Sequence, residues 1–205
     1  GSKVSLWGRD PNVMQSLATE QCNKKYLPNV SFPPSMKVCQ DLDNALEADI
    51  ILFAVPTQKL ANFLGGMGHN LDGKLLVACC KGIDLRTGLG PTSVLSKYAP
   101  DCEAGILTGP SFATDLAANM PTALTLACKK ISVGKDLQSA LATPVLRIYI
   151  TTDVIGAELG GALKNIMAIA CGICIGAGFG DSARAALMTR GYAEMLRLAL
   201  AMGAK

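Results

Sequence analysis

The sequence predicts an α/β chain: a doubly wound sheet with helices on both faces, passing at its far end into helix alone. Three observations carry this. From Lys3 to Ile150, short apolar runs alternate with amphipathic stretches of helical length. One of those runs, residues 49–55 (DIILFAV), is continuously apolar, as a strand buried on both faces must be. After Asp153 no strand pattern returns, and apolar residues recur at helical spacing at Ile155, Leu159, Leu163, Ile166, Met167 and Ala170.

Residues 3–7 (KVSLW) alternate as a strand and stop at Gly8-Arg9-Asp10-Pro11, where proline suits the first turn of a helix running to Glu20. A polar loop follows, with Tyr26-Leu27-Pro28 and Pro33-Pro34. Residues 37–40 read as a short strand, 42–48 as a short helix and 49–55 as the buried strand that Pro56 ends. The alternation continues with a helix over 58–64, a strand over 74–80, a helix over 91–98 and a strand over 103–107. Beyond Gly109-Pro110-Ser111 come a helix to Ala118, a strand over 122–128, a helix over 133–141 and a strand over 146–150. The helical end divides in two. Its first part reads as a mostly buried helix; its second has Asp181 as N-cap, spans 183–202 and has Gly203 placed to end it. A domain boundary is expected near Asp153, giving residues 1–153 and 154–205.

Composition removes several functions. The 205 residues are half hydrophobic and 17% charged, so the chain can build a normal core. A net charge of +3, with no basic run longer than a pair, implies neither nucleic acid nor a polybasic membrane patch. The longest uncharged apolar run, residues 165–180, is shorter than the roughly 20 residues of a spanning helix and predicts no membrane span. Eight cysteines lack the spacing of a disulfide framework or of paired zinc motifs, and read as small hydrophobes in a reducing compartment. The single histidine, His69, sits in a glycine-rich loop, which argues against His-based triads and His-rich metal sites.

Chemistry is expected where an open α/β sheet holds its ligands, at the carboxyl ends of the strands. Residues 54–57 (AVPT), 80–82 (CKG) and 108–111 (TGPS) sit there, and their backbone N–H groups and the Lys81 ammonium can converge on an anion. Lys164 is one of only two charges between Asp153 and Asp181; the other is Glu158. It shares a helix face with Gly160 and Gly161, which have no side chains to cover it. That patch either admits a ligand or permits tight helix packing while the lysine snorkels to water. Arg9 ends the first strand, where a Rossmann-type fold usually has an acid for the ribose of NAD and where an arginine accommodates the 2′-phosphate of NADP; a solvated Arg9–Asp10 pair is the alternative. Gly176-Ala-Gly178-Phe-Gly180 looks like a phosphate loop but follows a helix, so it reads as a break between helices.

Taken in order, WGRDP, FAVPTQ, CKGID, GPSFA, ITTDVIGAELGGALKN and GFGDSARAALMTRGYAEM resemble the bacterial type of NAD(P)-dependent glycerol-3-phosphate dehydrogenase over almost the whole chain. The resemblance implies reduction of dihydroxyacetone phosphate to sn-glycerol 3-phosphate in the cytoplasm, for phospholipid synthesis, with NAD or NADP; the lean to NADP comes from Arg9. It implies Lys164 as catalytic acid/base, and Lys81, Gly109 and Ser111 at the substrate. Arg9, Tyr26, Ala113 and Lys81 are implied at the cofactor. It also implies that a first strand with its GxGxxG turn belongs before Lys3, and further helical chain after Lys205, so that the sheet is incomplete. A homodimer is compatible with this reading. The β-hydroxyacid and 6-phosphogluconate dehydrogenases share a lysine on the first helix after a Rossmann domain and form a second reading; GPSFA and ARAAL count against them. A non-catalytic nucleotide-binding module is a third.

Overall fold

The computed structural model describes residues 2–67 and 71–205, so His69 lies outside the described residues. Strand β1 (Val4–Leu6) leads to helix α1 (Pro11–Glu20). Asp10 starts that helix by accepting from the N–H groups of Asn12 (3.0 Å) and Val13 (3.3 Å), two donors that otherwise lack an intrahelical partner. The expected polar loop contains a small antiparallel hairpin, β2 (Cys22–Asn23) and β3 (Leu27–Ser31). Its first strand is two residues long and its second includes Pro28, so no period-2 pattern announced it. β4 (Met36–Val38) then pairs in parallel with β1, and Asp41 caps the short helix α2 (Leu42–Leu46).

The main sheet has five strands in the order β5 (Ile50–Phe53), β6 (Leu75–Ala78), β7 (Glu103–Thr108), β8 (Thr122–Cys128) and β9 (Leu146–Thr151). Helices α3 (Thr57–Leu64), α4 (Pro91–Tyr98), α5 (Ala113–Ala117) and α6 (Ile131–Leu141) connect them. Successive residues of one strand enter opposite cores. Leu76 and Ala78 of β6 join Leu60 and Leu64 of α3 and Val94 and Leu95 of α4, while Val77 between them joins Leu137 of α6. Both faces are therefore covered, as expected. The sheet is nevertheless mixed: β5, β6 and β7 are parallel, β8 is antiparallel to β7, and β9 is parallel to β8. The thirteen residues between β7 and β8 hold only the short helix α5, and the chain re-enters the sheet running the other way.

The helical end consists of α7 (Val154–Gly176), capped by Asp153, and α8 (Asp181–Ala201). The glycine-rich stretch is the break between them, with Gly178 at φ +77°. Three expectations need correction here. Gly180 is the N-cap of α8, and Asp181 is its first residue, where it pairs with Arg184 at 2.9 Å. α7 has 23 residues, because it begins well before the uncharged run, so the length argument against a span is corrected; it is the one helix among the described residues that passes by length and composition, a test that core helices of soluble proteins also pass. Nor is it mostly buried: only Val154, Leu159, Gly161 and Cys174 are, and Ile166, Ile169 and Ile173 are 60%, 64% and 66% exposed. The sheet covers the first turns of α7 and α8 covers a second side, with Met167 seated over Gly191, but nothing described covers the third.

Candidate active site at the strand ends

Because β5, β6 and β7 are parallel neighbours, their carboxyl ends share one edge of the sheet. The three turns singled out in the sequence meet there. The first turn of α3 grips the loop after β6: Thr57 Oγ1 donates to the Lys81 carbonyl (2.8 Å), Gln58 Nε2 donates to the Ile83 carbonyl (2.7 Å), and Leu85 N–H donates to Gln58 Oε1 (3.0 Å). The backbone around Lys81 is thus fixed on both sides, and its ammonium points across to β7, where Nζ donates to the Gly109 carbonyl at 3.4 Å. Gly109 has φ +152°, and a Cβ on it would press on Leu124 and the Ala123 carbonyl, so both conformation and space demand glycine.

Helix α7 closes the site from the other side. A Cβ on Gly161 would lie 2.9 Å from Thr108 Oγ1 and 3.7 Å from Lys81 Cγ, so the absence of a side chain lets the helix settle onto the end of β7. Gly160 faces open space. Of the two roles open for the glycine pair, close packing belongs to Gly161 and an uncovered surface to Gly160. One turn on, half-buried Lys164 brings its ammonium beside that of Lys81. Lys81 is held below the ordinary lysine range, first by burial and then by the charge of Lys164. Two ammonium groups kept this close form a concentrated positive site, suited to an anion or to a developing oxyanion.

Glu158 was noticed in the sequence only as the other charge on this helix. Its Oε1 accepts from both the N–H (2.7 Å) and the hydroxyl (2.8 Å) of Thr92, at the start of α4. Burial raises its carboxyl above the ordinary range, and the two Thr92 bonds draw it partly back. Burial acts in the same direction on the thiols after β6: burial, then Cys80, pushes Cys79 up to about 11, and burial raises Cys80 as well. All eight cysteines are free.

The remaining candidates are more scattered. Half-buried Ser111 follows Gly109 on the same turn, and Ala113 is exposed as the first residue of α5. α5 packs against β3, in the hairpin whose turn carries Tyr26, which is exposed with Lys25 Nζ 5.0 Å from its ring centre. Arg9 is exposed beyond β1, on the two-stranded sheet, and lies outside the Lys81–Lys164–Gly109 cluster. Asp10 gives its carboxylate to the start of α1. A wide concavity of about 770 Å³ lies elsewhere, along β9 and the end of α6; its lining is mainly apolar, with Arg147 its one charged residue.

The description "NAD-dependent glycerol-3-phosphate dehydrogenase N-terminus" matches residues 1–134, and the corresponding C-terminus matches residues 153–205. The chain belongs to the NAD-dependent glycerol-3-phosphate dehydrogenase family. It is 54% identical over 202 residues to the glycerol-3-phosphate dehydrogenase [NAD(P)+] of a Ruegeria species, covering 98% of this chain and 63% of that one. The corresponding Jannaschia protein is 52% identical, with 100% and 63% covered. Among solved structures, glycerol-3-phosphate dehydrogenase from Coxiella burnetii superposes with a TM-score of 0.92 at 37% identity, over 99% of this chain and 63% of that chain. The chain thus spans 63% of the length of these relatives. Membership of this family goes against the β-hydroxyacid and 6-phosphogluconate dehydrogenases, as the GPSFA and ARAAL stretches did.

Proposed function

We propose that the protein containing this chain reduces dihydroxyacetone phosphate to sn-glycerol 3-phosphate with NADH or NADPH in the cytoplasm, supplying glycerol phosphate for phospholipid synthesis. The observation that carries this reading is the convergence of Lys81 and Lys164 at the carboxyl edge of β6 and β7. Residues 1–153 then form the dinucleotide-binding domain and residues 154–205 the beginning of the helical substrate domain. The relatives named above are called NAD(P)+ enzymes, and either cofactor supplies a hydride to the substrate carbonyl when bound. Arg9, Tyr26 and Ala113, with Lys81 at the inner end, are the residues of this chain that would hold it. The exposed guanidinium at the end of β1 fits the 2′-phosphate of NADP.

The chemistry left to the protein is a proton and a charge. As hydride reaches the carbonyl carbon, negative charge grows on its oxygen, and the Lys164 ammonium gives that oxygen a proton; in the reverse direction the neutral amine takes it back. Lys81 stays charged and holds the anionic substrate against the Gly109 and Ser111 turn. Two cations are needed because one is spent on the proton while the other keeps the phosphorylated substrate in place. In the full-length enzyme, Lys164→Ala is expected to lower kcat by roughly 100-fold or more while leaving the cofactor Kd nearly unchanged, the signature of losing a positioned acid. Steady-state reduction of dihydroxyacetone phosphate alongside cofactor titration reads both quantities. Turnover within a few-fold of the unmodified enzyme would mean that Lys164 only packs or snorkels.

A further inference from the structure

Glu158, Gly161 and Lys164 are successive members of one i+3 row on α7, and each meets the α/β layer at a different point. Glu158 meets the start of α4, Gly161 the end of β7, and Lys164 the Lys81 ammonium. α4 has no cap of its own. Its N-cap is Gly90, which makes no side-chain hydrogen bond, and the first turn is satisfied instead by a carboxylate from another helix. Gly90 is at φ −73°, a conformation open to any residue, so its backbone does not require glycine. A Cβ there would overlap the Glu158 carboxylate, which would have to move from its present seat. Helix terminus, threonine and glycine are therefore all shaped around this one carboxylate.

We propose that Glu158 is a positioning residue for Lys164: by capping α4 from α7 it sets the height and rotation of α7 on the sheet, and so the placement of the Lys164 ammonium beside Lys81. Six residues of helix separate the two positions, a rise of about 9 Å, so a slide or roll of α7 at Glu158 is delivered undiminished to Lys164. This inference rests on the reading that Lys164 carries the proton transfer. Its chemistry is hydrogen-bond acceptance at Oε1, which a glutamine in the same place can also supply.

The test uses the full-length enzyme with Glu158→Ala, Glu158→Gln, Gly90→Ala and Lys164→Ala, assayed for kcat, KM and cofactor Kd at a temperature where each is folded. Glu158→Ala and Gly90→Ala are expected to lose about tenfold to 100-fold in kcat, the scale of a misplaced catalytic group. Cofactor Kd should hold within about twofold, and Glu158→Gln should recover most of the lost turnover. Gly90→Ala keeps the measurement decisive if Glu158→Ala does not fold, because alanine suits that backbone and disturbs only the seat of the carboxylate. An inactive Lys164→Ala beside fully active Glu158→Ala and Gly90→Ala overturns the positioning role and leaves the proposed function standing. A Glu158→Gln enzyme as impaired as Glu158→Ala overturns it too, since the acceptor geometry would then not suffice. An active Lys164→Ala overturns the proposed function and this inference with it.

Discussion

Lys81 shows how a single residue's surroundings become a testable titration. Its pKa is lowered by partial burial and then by Lys164, and only the charged form attracts an anionic substrate. Substrate affinity should therefore fall, as pH rises, earlier than an ordinary lysine would allow. Replacing Lys164 by methionine removes the second cause, so the alkaline limb of the substrate dissociation constant should move to higher pH, as read by calorimetric titration. An unmoved limb would mean that the two ammonium groups do not sense each other. Lys164→Arg should be as inactive as Lys164→Ala, because a guanidinium does not release its proton at working pH. In the proposed function Arg9 would meet the far end of the cofactor. Arg9→Ala should weaken NADPH by about tenfold or more through the lost charge-assisted bonds, with NADH little changed; equal losses in the two titrations would show that Arg9 does not read the ribose. Both lysines and Arg9 were visible in the sequence because a charge at a strand end or on an apolar helix contradicts its context. Thr92 and Gly90 were not, because their significance lies in a carboxylate 66 positions away from the threonine.

At the scale of the element, α7 sets two glycines side by side with opposite consequences. A methyl group at Gly160 meets nothing within 4 Å, while one at Gly161 meets Thr108 Oγ1 at 2.9 Å on a buried side chain. Gly160→Ala should stabilise the protein by about 0.5–1 kcal/mol through helix propensity. Gly161→Ala should destabilise it by about 1–3 kcal/mol through overpacking and lower turnover as well, since α7 must lift off β7. Denaturant melts of the two variants decide this, and the same sign for both would refute the packing described for α7. The sequence identified the helix and its glycine pair, but the assignment of one glycine to the sheet and the other to open space depends on helix rotation, which periodicity alone left open.

For the whole molecule, the consequence lies in the surface left uncovered. Ile166, Ile169 and Ile173 follow one another along α7, and Phe179 at the break is 62% exposed. An apolar face of this kind on a chain with sheet edges at β1 and β5 is a site for association. Residues 1–205 expressed alone should therefore self-associate, with a sedimentation profile that depends on concentration, and Ile169→Lys together with Ile173→Lys should reduce the effect. A monomer that melts cooperatively would contradict this expectation.

By itself the sequence determined the order of elements from Lys3 to Ile150 apart from one small hairpin, the change to helix after Asp153, and the strand-end turns in which Lys81, Gly109 and Ser111 are found. These follow from local chemistry: apolar periodicity, proline and glycine punctuation, and charges out of place. Only the tertiary structure decided the antiparallel course of β8, the hairpin of β2 and β3, the exposed side of α7 and the meeting of Glu158 with Thr92. Each of these depends on which strands pair or on how a helix is rotated against a sheet. Such quantities arise from packing between segments distant in the chain, and no window of neighbouring residues contains them.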